Sequence, residues 1–143
     1  MYYEELNQGD KITTRRRVVT GTDIDTFAIM TGAINPLFLE DAFAKKLGFK
    51  GRIAPGILTL ALATGLQYAT GLFDDIIAFL GIDKLKFLAT VNPGDTIWAE
   101  AEVIAKKEID EERGIVSFRW LAKNQEERPV LEAETTFMLK RKR

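Results

Sequence analysis

The chain contains neither histidine nor cysteine among its 143 residues. Histidine is the commonest general base and metal ligand, so its absence excludes every Ser-His or Cys-His mechanism and argues against zinc and copper sites. The absence of cysteine excludes disulfides and a thiol nucleophile. An oxygen-only site for Mg²⁺ or Ca²⁺ remains open, although no run of acids has the spacing of an EF-hand. We therefore expect no resident metal.

The sequence also shows no charge excess, and we expect neither a signal peptide nor a membrane span. Its formal net charge of −1 gives no reason to expect nucleic acid as a partner, and we expect the basic run at 140–143 to be a solvated tail. No basic region followed by an apolar run opens the sequence. The longest apolar stretch, residues 53–73, contains Pro, Gly, Thr and Gln, which favours a buried helix over a membrane helix.

Length and composition predict one ordinary globular unit. A chain of 143 residues with 46% hydrophobic residues is typical of a single domain with a real core, here taken as 1–143. With no targeting segment in view, we expect a cytoplasmic protein that does not bind membranes.

The first half of the chain is mostly helical in pattern. The predicted elements are a strand at 11–20, a helix from Thr22 to Met30, a short helix at 40–47 and a long helix at 56–68. Thr22 and Asp25 predict a capping box, and Gly32 predicts the end of the first helix. The long helix is apolar almost all round, so we expect it to be buried on most of its faces.

The second half consists of strand patterns separated by turn residues. Four strands are predicted, at 79–91, 97–104, 115–121 and 129–139. Strands that follow one long apolar helix indicate an α+β layer packing, in which an antiparallel sheet covers the helix.

Two short blocks carry a family resemblance. Residues 31–39 read Thr-Gly-Ala-Ile-Asn-Pro-Leu-Phe-Leu, and residues 52–58 read Arg-Ile-Ala-Pro-Gly-Ile-Leu. Together they resemble the signature of the MaoC-like, (R)-specific enoyl-CoA hydratases, which have Asp-x-Asn-Pro-x-His in the first block and Ala-His-Gly in the second. Phe87, the turn at 92–95 and the Asn-Gln pair at 124–125 also fit this family. The resemblance implies the hot-dog fold, an antiparallel sheet wrapped around a long central helix.

The resemblance also implies that the catalytic dyad is missing. In the family, an Asp and a His activate water for addition to an enoyl thioester, and a backbone N–H at the start of the central helix holds the thioester oxygen. The Asp falls at Ala33, the catalytic His at Phe38 and the second His at Pro55. Neither Ala nor Phe transfers protons. The oxyanion-hole glycine is retained as Gly56.

Several residues have two interpretations that the sequence leaves open. Asn35 is either a surviving pocket residue or a turn residue before Pro36. Phe38 either lines an acyl pocket or is a core side chain that fills an inactive site. Thr64 falls where a helix hydroxyl often lines the family's pocket, although Thr59 and Thr64 can also bond the carbonyl one turn back.

The basic residues near the second block also have two interpretations. Arg52, Lys45, Lys46 and Lys50 are candidates for the phosphates of coenzyme A, or they form an ordinary solvated face. Lys84 and Lys86 are a second, weaker candidate pair.

Three functions follow, and the sequence leaves open whether the protein is an enzyme. The first is a non-hydrating protein that binds an acyl-CoA or acyl-carrier thioester, or the non-catalytic subunit of a complex. The second is an active (R)-specific enoyl-CoA hydratase or 3-hydroxyacyl dehydratase that uses other groups. The third is a structural oligomerisation module with a filled pocket. A thioesterase is not supported, because residues 56–70 contain no acid or base.

The resemblance further implies partners. We expect a homodimer or higher homo-oligomer with the acyl-thioester tunnel at the subunit interface, or an assembly with a catalytic paralogue. The ligand's coenzyme A portion is the one cofactor expected. Site residues are Asn35, Phe38, Gly56, Thr64 and Arg52 for substrate binding, with no catalytic residue at Ala33 or Phe38.

Overall fold

The computed structural model describes residues 1–142 and contains an antiparallel sheet packed against one long helix. The strands are β1 (Lys11–Thr13), β2 (Arg17–Val18), β3 (Ile76–Phe87), β4 (Thr96–Glu108), β5 (Arg113–Lys123) and β6 (Pro129–Lys140). The helices are α1 (Gly21–Thr31), α2 (Pro36–Leu39), α3 (Asp41–Lys46) and α4 (Gly56–Tyr68), and a 3-10 turn at Tyr3–Glu5 precedes them. The sheet order is β1-β4-β5-β6-β3, with β2 also paired to β4. The predicted α+β class is confirmed.

The core lies between α4 and the inward faces of β4, β5 and β6. Burial alternates along β5 and β6 from end to end, as expected for strands with one face covered. The inward side chains Phe118, Trp120 and Phe137 are fully buried and form one aromatic cluster with Phe73. Burying a side chain of this size contributes about 1.5–3 kcal/mol, so this layer is a main source of stability.

The prediction of one continuous strand at 11–20 is wrong. The chain pairs with β4 in two short pieces, β1 and β2, separated at residues 14–16. Thr14 lies at the break and is buried. Its N–H donates to the Ala99 carbonyl at 2.9 Å, and its hydroxyl accepts from the Ala99 N–H at 2.9 Å. The side chain therefore takes the place of a backbone carbonyl in the sheet pattern.

The predicted capping box of α1 is displaced by two residues. The N-cap is Thr20, whose hydroxyl accepts from the Asp23 N–H at 3.1 Å, while Oδ2 of Asp23 accepts from the Thr20 N–H at 2.9 Å. Burial raises the pKa of Asp23, but hydrogen bonds from Thr20 and Arg17 outweigh it and hold the pKa below its usual value. The helix ends at Gly32, as predicted, in the left-handed conformation with φ of 77°.

Residues 33–39, which lie between the first two predicted helices, contain a helical turn. Asn35 is the N-cap of α2, and its side-chain oxygen accepts from the Leu37 N–H at 2.9 Å. Pro36 occupies the first helical position, where the missing N–H is not needed. The Asn-Pro pair therefore starts a short helix where the sequence predicted a turn.

Helix α4 begins and ends where the sequence predicts, and it is covered on most of its faces, as expected, with one stripe exposed in the single chain. Leu58, Ala63 and Leu66 are buried, whereas Ile57 is 56% exposed and Tyr68 is 41% exposed. No helix among residues 1–142 has the length and hydropathy needed to span a membrane. One apolar stripe of α4 is thus left without a partner within the chain.

The expected solvated tail is also partly wrong. Lys140 belongs to β6, and Nε of Arg141 lies 2.9 Å from a carboxylate oxygen of Glu4. The Lys142 N–H donates to the other oxygen of Glu4 at 2.7 Å. The last residue of the predicted tail, Arg143, lies outside the described residues.

The end of β3 brings an aromatic ring over the start of α4. β3 loses register with β6 between Asp83 and Lys86, and Lys84 within this irregularity has a φ of 52°. A non-glycine residue in this region marks a β-bulge or turn that redirects the strand. After it, the Phe87 ring packs directly on Gly56, where an added Cβ would lie 2.9 Å from ring carbons.

We predict that Gly56→Ala is destabilising because of this ring. The new methyl group would force Phe87 to move, and overpacking of this kind costs about 1–3 kcal/mol. In a Phe87→Ala background the same change should cost little, so a double-mutant cycle of chemical denaturation should give a coupling energy of about 1 kcal/mol. Additive effects would contradict the close contact.

Candidate functional site

A small apolar pocket lies at the N-terminus of α4. It has a volume of about 240 Å³ and is lined by residues of α4, the preceding loop, the end of β3 and the loop that follows it. The lining residues are Ile53, Ala54, Gly56, Ile57, Thr59, Phe87, Ala89, Thr90, Val91 and Val130. None of these side chains is ionisable, so the pocket can hold an apolar group but supplies no acid or base.

The start of α4 offers backbone donors to this pocket. The first N–H groups of a helix have no intrahelical acceptor, and the Thr59 N–H is the first to find one, the Pro55 carbonyl at 3.2 Å. Within residues 1–142, the N–H groups of Gly56, Ile57 and Leu58 donate to no acceptor. Together with the helix dipole, they favour a partly negative oxygen at this end of the helix.

The loops around the pocket are fixed by backbone hydrogen bonds. The Ala54 N–H donates to the Val91 carbonyl at 2.7 Å, and the Leu88 N–H donates to the Val130 carbonyl at 2.9 Å. The first bond joins the loop before α4 to the segment before β4, and the second joins the end of β3 to β6, so the helix start is held in place relative to the sheet.

A larger polar groove opens beside the apolar pocket. It has a volume of about 970 Å³ and shares Ala89 and Thr90 with the pocket. Its other walls are α3, the loop at 48–52, the turn at 92–95 and the turn at 124–128. A ligand with an apolar end in the pocket can therefore place a polar end in the groove without leaving the protein surface.

The groove contains basic side chains that form no ion pair, together with the acids Asp41, Asp95 and Glu126. Lys45, Lys50 and Arg128 line it and form no ion pair with any residue of the part of the chain described. Of its acids, Asp41 accepts from the Arg52 N–H at 2.9 Å, and Asp95 accepts from Nε2 of Gln125 at 3.0 Å. These hydrogen bonds hold the two carboxylates in place without removing their charge, so the attraction for an anion such as phosphate is confined to the three basic side chains themselves.

The turn residues that fit the family pattern build this groove. The Asn92 side-chain amide donates to the Arg52 carbonyl at 2.9 Å, and the Asn92 N–H donates to Asp95 at 2.8 Å. Gln125 bridges Asp95 and the Thr96 N–H. The turn at 92–95 and the pair at 124–125 thus hold the groove walls together.

The structure brings only one of the predicted pocket residues into the apolar pocket. Gly56 lines it. Asn35 is exposed and uses its side-chain oxygen to cap α2, while Ala33 and Phe38 are half-buried against the core. The Thr64 hydroxyl donates to the Leu60 carbonyl at 2.8 Å and does not line the pocket. The functional roles of these residues stay predictions, but only Gly56 is positioned for direct contact here.

Arg52 lies in the groove wall, but its guanidinium already has a partner. Its Nη1 lies 2.8 Å from Oδ1 of Asp25, and its side chain is 18% exposed. Its Nη2 occupies the space beside Gly21 where a Cβ would lie. The ion pair connects the loop before α4 to α1, so the Arg52 side chain has a structural role.

The sequence reasoning missed four residues of the site. Thr59 was expected to bond the carbonyl one turn back, but its side chain lines the pocket and makes no hydrogen bond to a described residue. Phe87, Thr90 and Arg128 were not assigned to the site at all. Only Phe87 had a sequence signal, since it belongs to the family pattern before the turn at 92–95.

No metal centre accompanies the site. Among residues 1–142 there is no group of three or more acids that could hold a metal ion. The chemistry that the site offers is therefore hydrogen bonding from a helix start, apolar contact and attraction of anions.

Known proteins with this architecture share the hot-dog fold. A conserved hypothetical protein from Mycobacterium tuberculosis with a double hot-dog fold superposes with a TM-score of 0.90 at 19% identity, over 99% of this chain and 44% of that one. A structure of a monoamine oxidase regulatory protein from Archaeoglobus fulgidus superposes with a TM-score of 0.92 at 39% identity, covering 100% of this chain and 96% of that one. The predicted hot-dog fold is confirmed.

Sequence relatives point to the same family. The chain is 33% identical over 144 residues to the uncharacterised protein YdeM of Bacillus subtilis, covering 99% of this chain and 100% of YdeM. It is 33% identical over 110 residues to an (R)-specific enoyl-CoA hydratase of Aeromonas caviae, covering 76% of this chain and 78% of that protein. Residues 5–121 match the family described as MaoC like domain, and the chain belongs to that family.

Proposed function

We propose that this protein binds an acyl thioester, preferably of coenzyme A, and does not hydrate it. The observation that carries the proposal is the apolar pocket at Gly56, which combines unpaired helix N–H groups with a neighbouring groove that contains three basic side chains free of ion pairs within residues 1–142. An acyl-CoA thioester has the same division of properties, with an apolar acyl group, a polar carbonyl and a coenzyme A portion that carries phosphates.

The parts of the ligand have matching places in this proposal. The thioester oxygen accepts from the Gly56 N–H, where the helix dipole favours negative charge. The acyl chain enters the apolar pocket between Thr59 and Phe87. The phosphates of coenzyme A lie in the groove near Lys45, Lys50 and Arg128, where charge-assisted hydrogen bonds are strongest. The coenzyme A portion of the ligand is the one cofactor involved.

The proposed lack of hydration rests on the side chains at the family's acid–base positions. Ala33 and Phe38 transfer no proton, and the pocket lining contains no ionisable side chain. A positioned acid or base contributes typically about 10²–10⁴-fold to a rate. Loss of both groups leaves polarisation by the helix start as the only remaining assistance.

The two rival functions receive less support. A hydratase or dehydratase that uses other groups needs an acid at the pocket beside Gly56, whose lining contains none. The acids of the neighbouring groove are Asp41, Asp95 and Glu126, of which the first two accept from the Arg52 N–H and from Gln125. A purely structural module needs a filled pocket, whereas a space of about 240 Å³ lies beside Gly56. The non-hydrating binder requires neither condition.

The first test is hydration of a short trans-2-enoyl-CoA, followed as loss of enoyl-thioester absorbance. We expect the wild-type rate to equal the rate in buffer, while Ala33→Asp/Phe38→His, with a wild-type circular dichroism spectrum, should hydrate measurably. Ala33→Asn/Phe38→Gln is the matched control, with similar volume and no acid–base function. Wild-type turnover clearly above buffer would refute the non-hydrating assignment, and a folded, inactive dyad variant would refute the alignment of these positions.

The second prediction concerns the groove. Lys45 lines it and its neighbour Lys46 does not. Lys45→Gln should weaken acyl-CoA binding about 3- to 10-fold, because one charge-assisted contact is lost, whereas Lys46→Gln should leave the dissociation constant unchanged. Isothermal titration calorimetry with butyryl-CoA measures both. Equal effects of the two substitutions would mean that the groove does not hold the phosphates.

We also propose that the binding unit is a homodimer formed through β3 and α4. β3 is the end strand of the described sheet, and its Ile77 and Leu80 are 44% and 48% exposed. The exposed Ile57 and Tyr68 of α4 add to this apolar surface. An uncovered apolar edge strand invites pairing with another chain, and a second copy offers the same surface in return.

Light scattering coupled to size-exclusion chromatography tests this dimer. We expect twice the chain mass for the wild type and the chain mass for Leu80→Lys, while Lys107→Glu on β4 leaves the dimer intact. A wild-type monomer at micromolar concentration contradicts the homodimer. Recovery of the dimeric mass only after a MaoC-like paralogue is added would identify a heteromer instead.

A further inference from the structure

Thr59 places a buried hydroxyl in the wall of the apolar pocket. The side chain is 4% exposed and lines the pocket together with Gly56. Its Oγ1 forms no hydrogen bond with any residue of 1–142, and it is not among the fully buried side-chain atoms that lack a partner. The hydroxyl therefore opens on the space of the pocket and has no protein partner there.

A second threonine of the same helix shows the arrangement that Thr59 does not adopt. Oγ1 of Thr64 donates to the Leu60 carbonyl at 2.8 Å, and this bond to the carbonyl one turn back is common for a helical threonine. For Thr59 the corresponding carbonyl is that of Pro55, which accepts from the Thr59 N–H at 3.2 Å but not from the hydroxyl. The Thr59 side chain thus has a conformation that leaves its hydroxyl unpaired within the described chain.

Helix geometry places this hydroxyl close to the free N–H of Gly56. Residues three apart lie on the same face of a helix, with Cβ positions about 5–6 Å apart, and helical side chains lean toward the N-terminus. The Thr59 side chain therefore covers the turn that contains Gly56, and both residues line the same pocket of about 240 Å³. One acceptor atom in this pocket can thus lie within hydrogen-bond distance of both donors.

No side chain of residues 1–142 caps this helix start. α1 and α2 begin with Thr20 and Asn35, whose side chains accept from N–H groups of the first turn. α4 begins after Pro55 and has no side-chain cap. Polar groups without partners are costly in an apolar surrounding. A hydroxyl and a helix N–H that are both unpaired at one apolar pocket therefore point to an acceptor that a ligand supplies.

We propose that the Thr59 hydroxyl is a second hydrogen-bond donor to the thioester oxygen, beside the Gly56 N–H. A carbonyl oxygen has two lone pairs, so it accepts from both donors at once. A thioether of the same length has no such oxygen and leaves both donors unpaired, and the site should therefore select ligands by the carbonyl. This inference rests on the proposed thioester binding and assigns a residue outside the two blocks that carry the family resemblance.

The direct test compares two ligands that differ only at the carbonyl. Isothermal titration calorimetry with butyryl-CoA and S-butyl-CoA, its thioether analogue, should show that the wild type binds the thioester more tightly. Thr59→Val keeps the volume and removes the hydroxyl, so it should lower this preference about 3- to 10-fold. Thr59→Ser keeps the hydroxyl and should retain most of the preference.

Thr135→Val is the matched control. Thr135 is 0% exposed and its hydroxyl also lacks a partner, but it does not line the pocket. The preference for the thioester should therefore stay at the wild-type value in this variant. Thr59→Ala replaces Thr59→Val if the latter does not fold.

Infrared spectroscopy gives a readout that a purely structural role of Thr59 would not change. A hydrogen bond to a carbonyl lowers its stretching frequency. Butyryl-CoA with an isotope label at the carbonyl carbon should therefore show a lower frequency when bound to the wild type than when bound to Thr59→Val. Thr135→Val should give the wild-type frequency.

The outcomes separate this inference from the function on which it rests. If the wild type binds neither ligand, the proposed thioester binding fails and this inference fails with it. If the wild type binds both without preference, only the present inference is overturned. Equal weakening of both ligands by Thr59→Val, with an unchanged carbonyl frequency, would mean that Thr59 only shapes the pocket. Loss of the preference in Thr135→Val as well would show a global effect, which also overturns the inference.

Discussion

The packing of α4 against the inward faces of β4, β5 and β6 is the constraint on which the rest of the molecule depends. Phe118, Trp120 and Phe137 cannot be buried unless the helix lies across them, and the helix in turn has no other surface that buries Leu58, Ala63 and Leu66. Apolar burial of this kind dominates the free energy of folding. Once the helix is fixed, its first turn must lie at the rim of the sheet, where Phe87 and the loop at 88–95 surround it. The packing of the core therefore determines the position of the candidate site.

The dependence of the site on the helix–sheet packing explains why the sequence predicted the fold more fully than the site. The bounds of α4 follow from an apolar run preceded by Pro55, and β4 to β6 follow from alternation of buried and exposed residues. The split between β1 and β2 could not be read, because it depends on a hydroxyl of Thr14 replacing a carbonyl in a bond to Ala99. The same limit applied to Arg52, whose partner Asp25 lies 27 residues away. Contacts between segments that are distant in sequence determine which residues form a site. Local sequence patterns do not predict such contacts.

The family membership and the proposed loss of the acid–base pair concern different residues. Several residues that match the family pattern hold loops together by hydrogen bonds, namely Asn92, Asp95 and Gln125. They maintain the scaffold whatever chemistry takes place on it. The positions of the acid and the base make no such contribution, since Ala33 and Phe38 pack against the core without loss of the fold. The hydrogen bonds that maintain the scaffold are thus independent of the side chains at positions 33 and 38.

The irregular pairing of β3 has a consequence for how this site can vary. Successive side chains of a strand point to opposite faces, so a shift of one residue exchanges the two faces. Phe87 reaches Gly56 only because the chain loses register between Asp83 and Lys86. Insertion of one residue in that stretch, with the pairing before it unchanged, would exchange the aromatic ring for the ammonium group of Lys86 at the mouth of the pocket. The length of β3, as much as the identity of any side chain, decides whether an apolar or a charged group meets the start of α4.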